Sequence, residues 1–166
     1  SANSQVKPNS PLRFHSNEGI NPTGISFVAT GCTFSTPGLD PDWDDPIATL
    51  LRCTNEGPFS VTVTASDLAG NPGTLTTTYV YVAPALSAST TANTRLKPNT
   101  TLRFNANVPM LPTNISYVSP TCTFGTPSLY TNTACTANLL SCNAEGAFSL
   151  TVSFLDMVGN PGSLTI

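Results

Sequence analysis

Two stretches of the chain alternate apolar and polar residues and break at the same turn: Glu56–Leu75, EGPFSVTVTASDLAGNPGTL, and Glu145–Leu164, EGAFSLTVSFLDMVGNPGSL. A period of two predicts a β-strand, the Asp-x-x-Gly-Asn-Pro-Gly segment a tight turn, and the alternation beyond it a returning strand. The likeness extends outward. Val6–Phe14, VKPNSPLRF, recurs 90 positions on as LKPNTTLRF at Leu96–Phe104, and GCTF at Gly31–Phe34 recurs as TCTF at Thr121–Phe124. From Cys53 and Cys142 onward the offset is 89, so the chain holds two copies of one unit that differ by a single net residue.

Within repeat 1 the pattern predicts strands at Ser4–Val6, Pro11–Ser16, Gly24–Ala29, Cys32–Ser35, Ala48–Cys53, Pro58–Ser66 and Thr74–Val82. Short strands at this spacing predict an all-β sandwich, and no segment sustains the 3.6-residue apolar period of a helix. A Pro-Ala-Ser linker, Ala83–Thr91, separates the copies, which gives domains at 1–84 and 85–166. Ile166 aligns with Thr77, so repeat 2 lacks a counterpart of Thr78–Val82 and most of its last strand. Two readings follow: an array that continues beyond these residues, or an open edge that takes a strand from a neighbouring chain. On the second reading Ser1–Val6 is the segment available for donation, and Ser1, Val6, Leu164 and Ile166 become interface residues.

Composition narrows the partners. Only 9% of residues are charged and the net charge is −3, with six Lys and Arg in all, so there is no basic stripe for nucleic acid or anionic lipid. No apolar run approaches the ~18 residues of a spanning helix. Ser, Thr and Asn solvate the surface instead, as suits an extracellular protein.

Candidate chemistry is sparse. Cys32 with Cys53 and Cys122 with Cys142 hold matching positions, which favours one disulfide per repeat in an oxidising compartment over reduced thiols or metal ligands. Cys135, in the loop TNTACTANLL, is left over as a free thiol, an inter-chain link or a competitor for the pairs. Asp67, Gly70 and Asn71, and Asp156, Gly159 and Asn160, form the turns, with the carboxylates accepting turn amides and the glycines supplying positive φ. Asp40, Asp42, Asp44 and Asp45 surround the single Trp43. They read as a solvated acidic loop or a calcium candidate, although the EF-hand glycine and bidentate Glu are missing, and Trp43 reads as an interface anchor. Lys7/Lys97, Glu56/Glu145 and Asn71/Asn160 are the ingredients of an internal amide cross-link, but a Lys before Pro and an Asn in a turn are poorly placed for shared burial. His15 has Asn105 as its counterpart and no nucleophile elbow accompanies it, so no catalytic residue is expected. Arg13 and Arg103 recur and predict pairing with carboxylate or carbonyl groups. Asn99 and Asn114 lie in N-glycosylation sequons.

The succession of LRF, an IS-V strand, a Thr-rich strand, E-G-x-F-S and the closing D-x-x-G-N turn resembles the bacterial immunoglobulin-like repeats of large surface proteins and biofilm adhesins. The resemblance covers almost all of both copies, and the cysteine pair is its departure. It implies two tandem immunoglobulin-like β-sandwiches in a non-enzymatic, cofactor-free protein at the cell surface. The expected role is a unit of a surface fibre, pilus-like filament or adhesin stalk, with copies of itself or further repeats as partners. The alternative is a glycan- or protein-binding module, either an adhesin tip or an accessory domain of a secreted enzyme.

Overall fold

The computed structural model describes residues 4–166. Contacts divide the chain into two units, Ser1–Ala83 (repeat 1) and Pro84–Ile166 (repeat 2). Repeat 1 contains β1 (Ser4–Val6), β2 (Pro11–Arg13), β3 (Ser26–Val28), β4 (Cys32–Phe34), β5 (Gly38–Leu39), β6 (Pro46–Cys53), β7 (Gly57–Ser66) and β8 (Pro72–Tyr81). One sheet runs β1-β8-β7-β3 and the other β2-β6-β4, with β5 also on β6. The second, sixth and fourth strands thus face the eighth, seventh and third, the strand order of a constant-type immunoglobulin sandwich, and β1 lies parallel to the last strand.

The alternation of β7 is what places it. Val61 and Val63 are buried, whereas Ser60 and Thr62 point outward and bond Thr78 and Thr76 across the pair at 3.2 and 2.9 Å. Leu12, Phe14, Phe27, Ala48, Leu50 and Tyr79 complete the core, with the Phe14 and Phe27 rings edge to face at 5.3 Å. Each fully buried large apolar side chain stabilises by about 1.5–3 kcal/mol.

Repeat 2 contains β9 (Leu86–Ala88), β10 (Thr101–Ala106), β11 (Ser116–Val118), β12 (Cys122–Phe124), β13 (Ser128–Thr131), β14 (Ala134–Cys142), β15 (Thr151–Leu155) and β16 (Pro161–Thr165). Its sheets are β12-β14-β10-β9, with β13 on β14, and β11-β15-β16. Among the described residues, helix is confined to two 3-10 turns, Pro22–Gly24 and Pro112–Asn114, and no helix is long and apolar enough to cross a membrane.

Three expectations change. Ser4–Val6 is not an uncommitted segment: it pairs with Tyr79–Tyr81 of its own repeat, and Val6 is buried in that core. Ser1 lies outside the described residues. The linker Ala83–Thr91 is not all connection, because Leu86–Ala88 forms the edge strand β9 on β10. Cys135 is not in a loop. It lies in β14 opposite Phe104, fully buried, because the Thr131–Ala134 hairpin is tighter than the run of polar residues suggested.

The last strands of the two repeats differ in extent. β7 and β8 pair from Ser66↔Pro72 to Gly57↔Tyr81, whereas β15 and β16 pair from Leu155↔Pro161 to Thr151↔Thr165 and close with mutual Leu150–Ile166 hydrogen bonds of 2.9 and 3.0 Å. Gly146–Ser149 and Thr94–Leu96 are not strand in repeat 2, although their counterparts Gly57–Ser60 and Ser4–Val6 are. Both segments match residues that in repeat 1 pair with Thr78–Tyr81.

Candidate functional site

The cysteines meet at matching places. Cys32↔Cys53 and Cys122↔Cys142 are opposed across β4–β6 and β12–β14, and each pair is a disulfide. Both bridges lie between neighbouring strands of one sheet. With these four cysteines bonded, Cys135 is a free thiol sealed in the repeat 2 core, and that burial excludes the inter-chain link and the competitor roles. Burial pushes its thiol up and pushes the neighbouring Tyr117 hydroxyl up too, while that hydroxyl donates to the Thr136 carbonyl at 2.7 Å. Cys135 is therefore poorly reactive.

The two Asp turns share a geometry but not an environment. Asp67 accepts from the Asn71 side chain at 2.7 Å and the Asn71 backbone at 2.8 Å, and these bonds hold its carboxyl below the ordinary carboxylate range. Asp156 accepts from Asn160 Nδ2 at 2.9 Å, Asn160 N–H at 2.8 Å and Val158 N–H at 2.9 Å inside a fully buried pocket. Gly70 and Gly159 take φ of 91° and 87°, which a side chain would strain. Asn71 and Asn160 are thus engaged by Asp, Glu56 accepts from the Ala83 amide at 2.9 Å, and Lys7 and Lys97 are exposed, so these residues are not gathered for an amide cross-link.

The acidic loop is not uniformly solvated. Asp40 is buried and pairs with Arg13 at 2.6 Å while accepting from the Asp42 amide. Asp45 is buried as well, accepts from the Ser16 amide at 2.9 Å and lies 3.2 Å from His15 Nδ1. The corresponding amide in repeat 2, Ala106 N–H, donates to the Thr133 carbonyl, so Asp45 substitutes for a backbone acceptor. Asp42 and Asp44 stay exposed, and among the described residues no three metal-ligating side chains come together.

A duplicated feature escaped the sequence reading. Arg13 lies over the ring of Trp43, 5.8 Å from its centroid, and Arg103 lies over Tyr130 at 4.2 Å. Trp43 is 67% exposed and Tyr130 63%. Each repeat therefore presents an aromatic ring steadied by the arginine of its second-strand position. The signal was available in the recurrence of Arg13 and Arg103, but loops of different length hid the matching aromatics. Of the two sequons, Asn99 is exposed in a turn with φ 67° and Asn114 is exposed in the second 3-10 turn. Leu164 and Ile166 are half-buried and pack against the repeat 2 core.

No protein-family model matches the sequence, and no curated protein matches it. Among solved structures the chain is similar to SGBP-B of a Bacteroides ovatus mixed-linkage glucan utilization locus, in complex with a mixed-linkage heptasaccharide, at 16% identity and a TM-score of 0.32, over 99% of this chain and 45% of that one. It is similar to the fibronectin(III)-like modules of Clostridium thermocellum CbhA at 9% identity and a TM-score of 0.33, over 99% and 87%. It is also similar to a tetra-tandem repeat in the extending region of a large adhesion protein at 16% and 0.33, over 100% and 48%. The chain thus spans under half of the first and third of these structures.

Proposed function

We propose that the chain is a non-enzymatic, extracellular structural module of the bacterial immunoglobulin-like repeat type, a tandem unit of a surface fibre or adhesin stalk. The observation that carries this reading is the duplication of a whole mechanical design: two sandwiches of the same strand order, each with a disulfide between neighbouring strands of one sheet. Disulfides of this kind persist in oxidising compartments outside the cytosol. Immunogold labelling of intact cells with an antibody to this chain tests the reading. Gold along extracellular filaments is the expected result, and label that appears only after permeabilisation would overturn it.

A second reading, a glycan- or protein-binding module, is favoured by the duplicated Arg13–Trp43 and Arg103–Tyr130 pairs, because an exposed ring held by a guanidinium offers its open face to a sugar or an apolar side chain. Binding to a glycan array by the native chain that is abolished in a W43A/Y130A double variant is the result this reading requires.

A further inference from the structure

The arginine that recurs at the second-strand position has different neighbours in the two repeats. In repeat 1 its charge is answered, because Arg13 pairs with the buried carboxylate of Asp40 at 2.6 Å. Tyr130 stands where repeat 1 has Asp40, and among the described residues no carboxylate pairs with Arg103. Arg103 is exposed and lies over the Tyr130 ring at 4.2 Å, with 63% of that tyrosine open to solvent. Stacking on the ring fixes the plane of the guanidinium fork and leaves its charge without a counter-ion.

The surface around this arginine differs in the same direction. The cross-strand row Arg13, Ile47 and Gly38 of repeat 1 becomes Arg103, Thr136 and Ser128 in repeat 2, where the two hydroxyls lie 2.9 Å apart. Pro11 opposite Thr49 becomes Thr101 opposite Asn138, joined by a hydrogen bond of 2.7 Å. His15 gives way to Asn105, whose Nδ2 donates to Ser89 Oγ at 3.1 Å. Thr101, Arg103 and Asn105 share the outward side of β10, since Leu102 and Phe104 between them are buried. Each exchange leaves a neutral hydroxyl or amide beside the arginine. One unpaired guanidinium among such groups, next to a flat ring, is matched by a single carboxylate on a hydroxylated ring. The carboxylate takes the guanidinium fork, the ring hydroxyls meet the side-chain hydroxyls and amides, and the C–H face lies on the tyrosine.

We propose that the outer face of repeat 2 around Arg103 and Tyr130 binds a carboxylate-bearing sugar, a hexuronate unit of an acidic polysaccharide, and that repeat 1 does not. Arg103 supplies the charge and the bidentate fork, Tyr130 the stacking face, and Thr136 and Asn105 the neutral hydrogen-bonding groups. In repeat 1 the Asp40 carboxylate already occupies the guanidinium, so the matching arginine has no fork to offer. The inference rests on the glycan-binding reading and names its sugar class. It makes the two exposed rings unequal, with Tyr130 in the acidic-sugar site and Trp43 outside it.

The test is titration of the intact, oxidised 166-residue chain with trigalacturonate, its neutral methyl ester and a triglutamate peptide, followed by amide chemical shifts. Trigalacturonate should shift Arg103, Asn105, Tyr130 and Thr136, bind at least tenfold more tightly than the ester or the peptide, and weaken as salt is added. Arg103→Gln, and Tyr130→Asp, which restores the carboxylate of repeat 1, should each weaken it at least tenfold. Arg103→Lys keeps the charge but loses the fork and should weaken it several-fold. All three change exposed residues, and an unaltered repeat 2 melting transition checks that the fold is kept. Trp43→Ala should leave this binding unchanged. Equal affinity for the acid and the ester, or shifts centred on Trp43, would overturn the acidic-sugar assignment and leave the glycan-binding reading standing. Triglutamate binding as tightly as trigalacturonate, or no shift at millimolar sugar, would overturn it as well; the glycan-binding reading falls with it only if the native chain also binds no glycan on the array.

Discussion

Replacing Cys32 and Cys53 together with Ala removes one bridge and leaves the other as an internal reference. The bonded residues are 21 apart and half-buried at the ends of β4 and β6, so little core packing is lost and the main change is the freedom returned to the unfolded chain. Loop closure at that separation corresponds to about 3 kcal/mol at 25 °C. For a domain of this size, each kcal/mol moves the melting temperature by about 4–8 °C, so the repeat 1 transition should fall by roughly 12–25 °C. Differential scanning calorimetry of the whole chain reads this directly, with the repeat 2 transition as the control. Cys122→Ala/Cys142→Ala should produce a drop of the same size in repeat 2, because that pair is separated by 20 residues. A repeat 1 loss under about 1 kcal/mol would refute the reasoning, since it would mean that the unfolded chain gains little from the bridge's removal.

Three further outcomes follow from the contrast between the repeats. Asp156→Ala removes the acceptor of three hydrogen bonds in a buried site and should cost about 2–4 kcal/mol in urea denaturation, whereas Asp67→Ala, at the surface, should cost less. Because Asp67 is depressed in the folded state, its contribution is complete above the ordinary carboxylate range and is lost as pH falls through the depressed value; Asp67→Asn should therefore flatten the acid limb of the repeat 1 stability profile relative to the native chain. Gly162→Ala should destabilise repeat 2 by about 1–3 kcal/mol through collision with Phe154, while Gly73→Ala in repeat 1 should be close to neutral by the same assay.

Much of the fold was legible because the chain repeats itself. The Val61/Val63 alternation and the Asp67–Asn71 turn identify a strand pair, and finding both again at Leu150/Val152 and Asp156–Asn160 identifies two domains. Where the repeats diverge, sequence pattern lost its purchase. The DPDWDDP segment reads as solvated because four carboxylates crowd it, yet Asp40 turns inward to Arg13 and Asp45 replaces a missing backbone acceptor, and neither partner is adjacent in sequence. Cys135 reads as a loop residue because Thr and Asn flank it. Its burial is set by the register of β14 against Phe104. The contrast between Gly73 and Gly162 was illegible for a related reason: Ala65 in an alternating strand looks ordinary until the sister domain shows the buried Phe154 ring at that place.

The central claim is that each repeat is a β-sandwich whose bridge limits extension under tension, and single-molecule stretching of the chain tests it most directly. Two unfolding steps are predicted under oxidising conditions, and reduction should lengthen each by about 70 Å. That figure comes from the 21- and 20-residue separations of the bridged cysteines at about 3.3–3.6 Å per residue. A single step, or steps whose length is the same with and without reductant, would contradict the account.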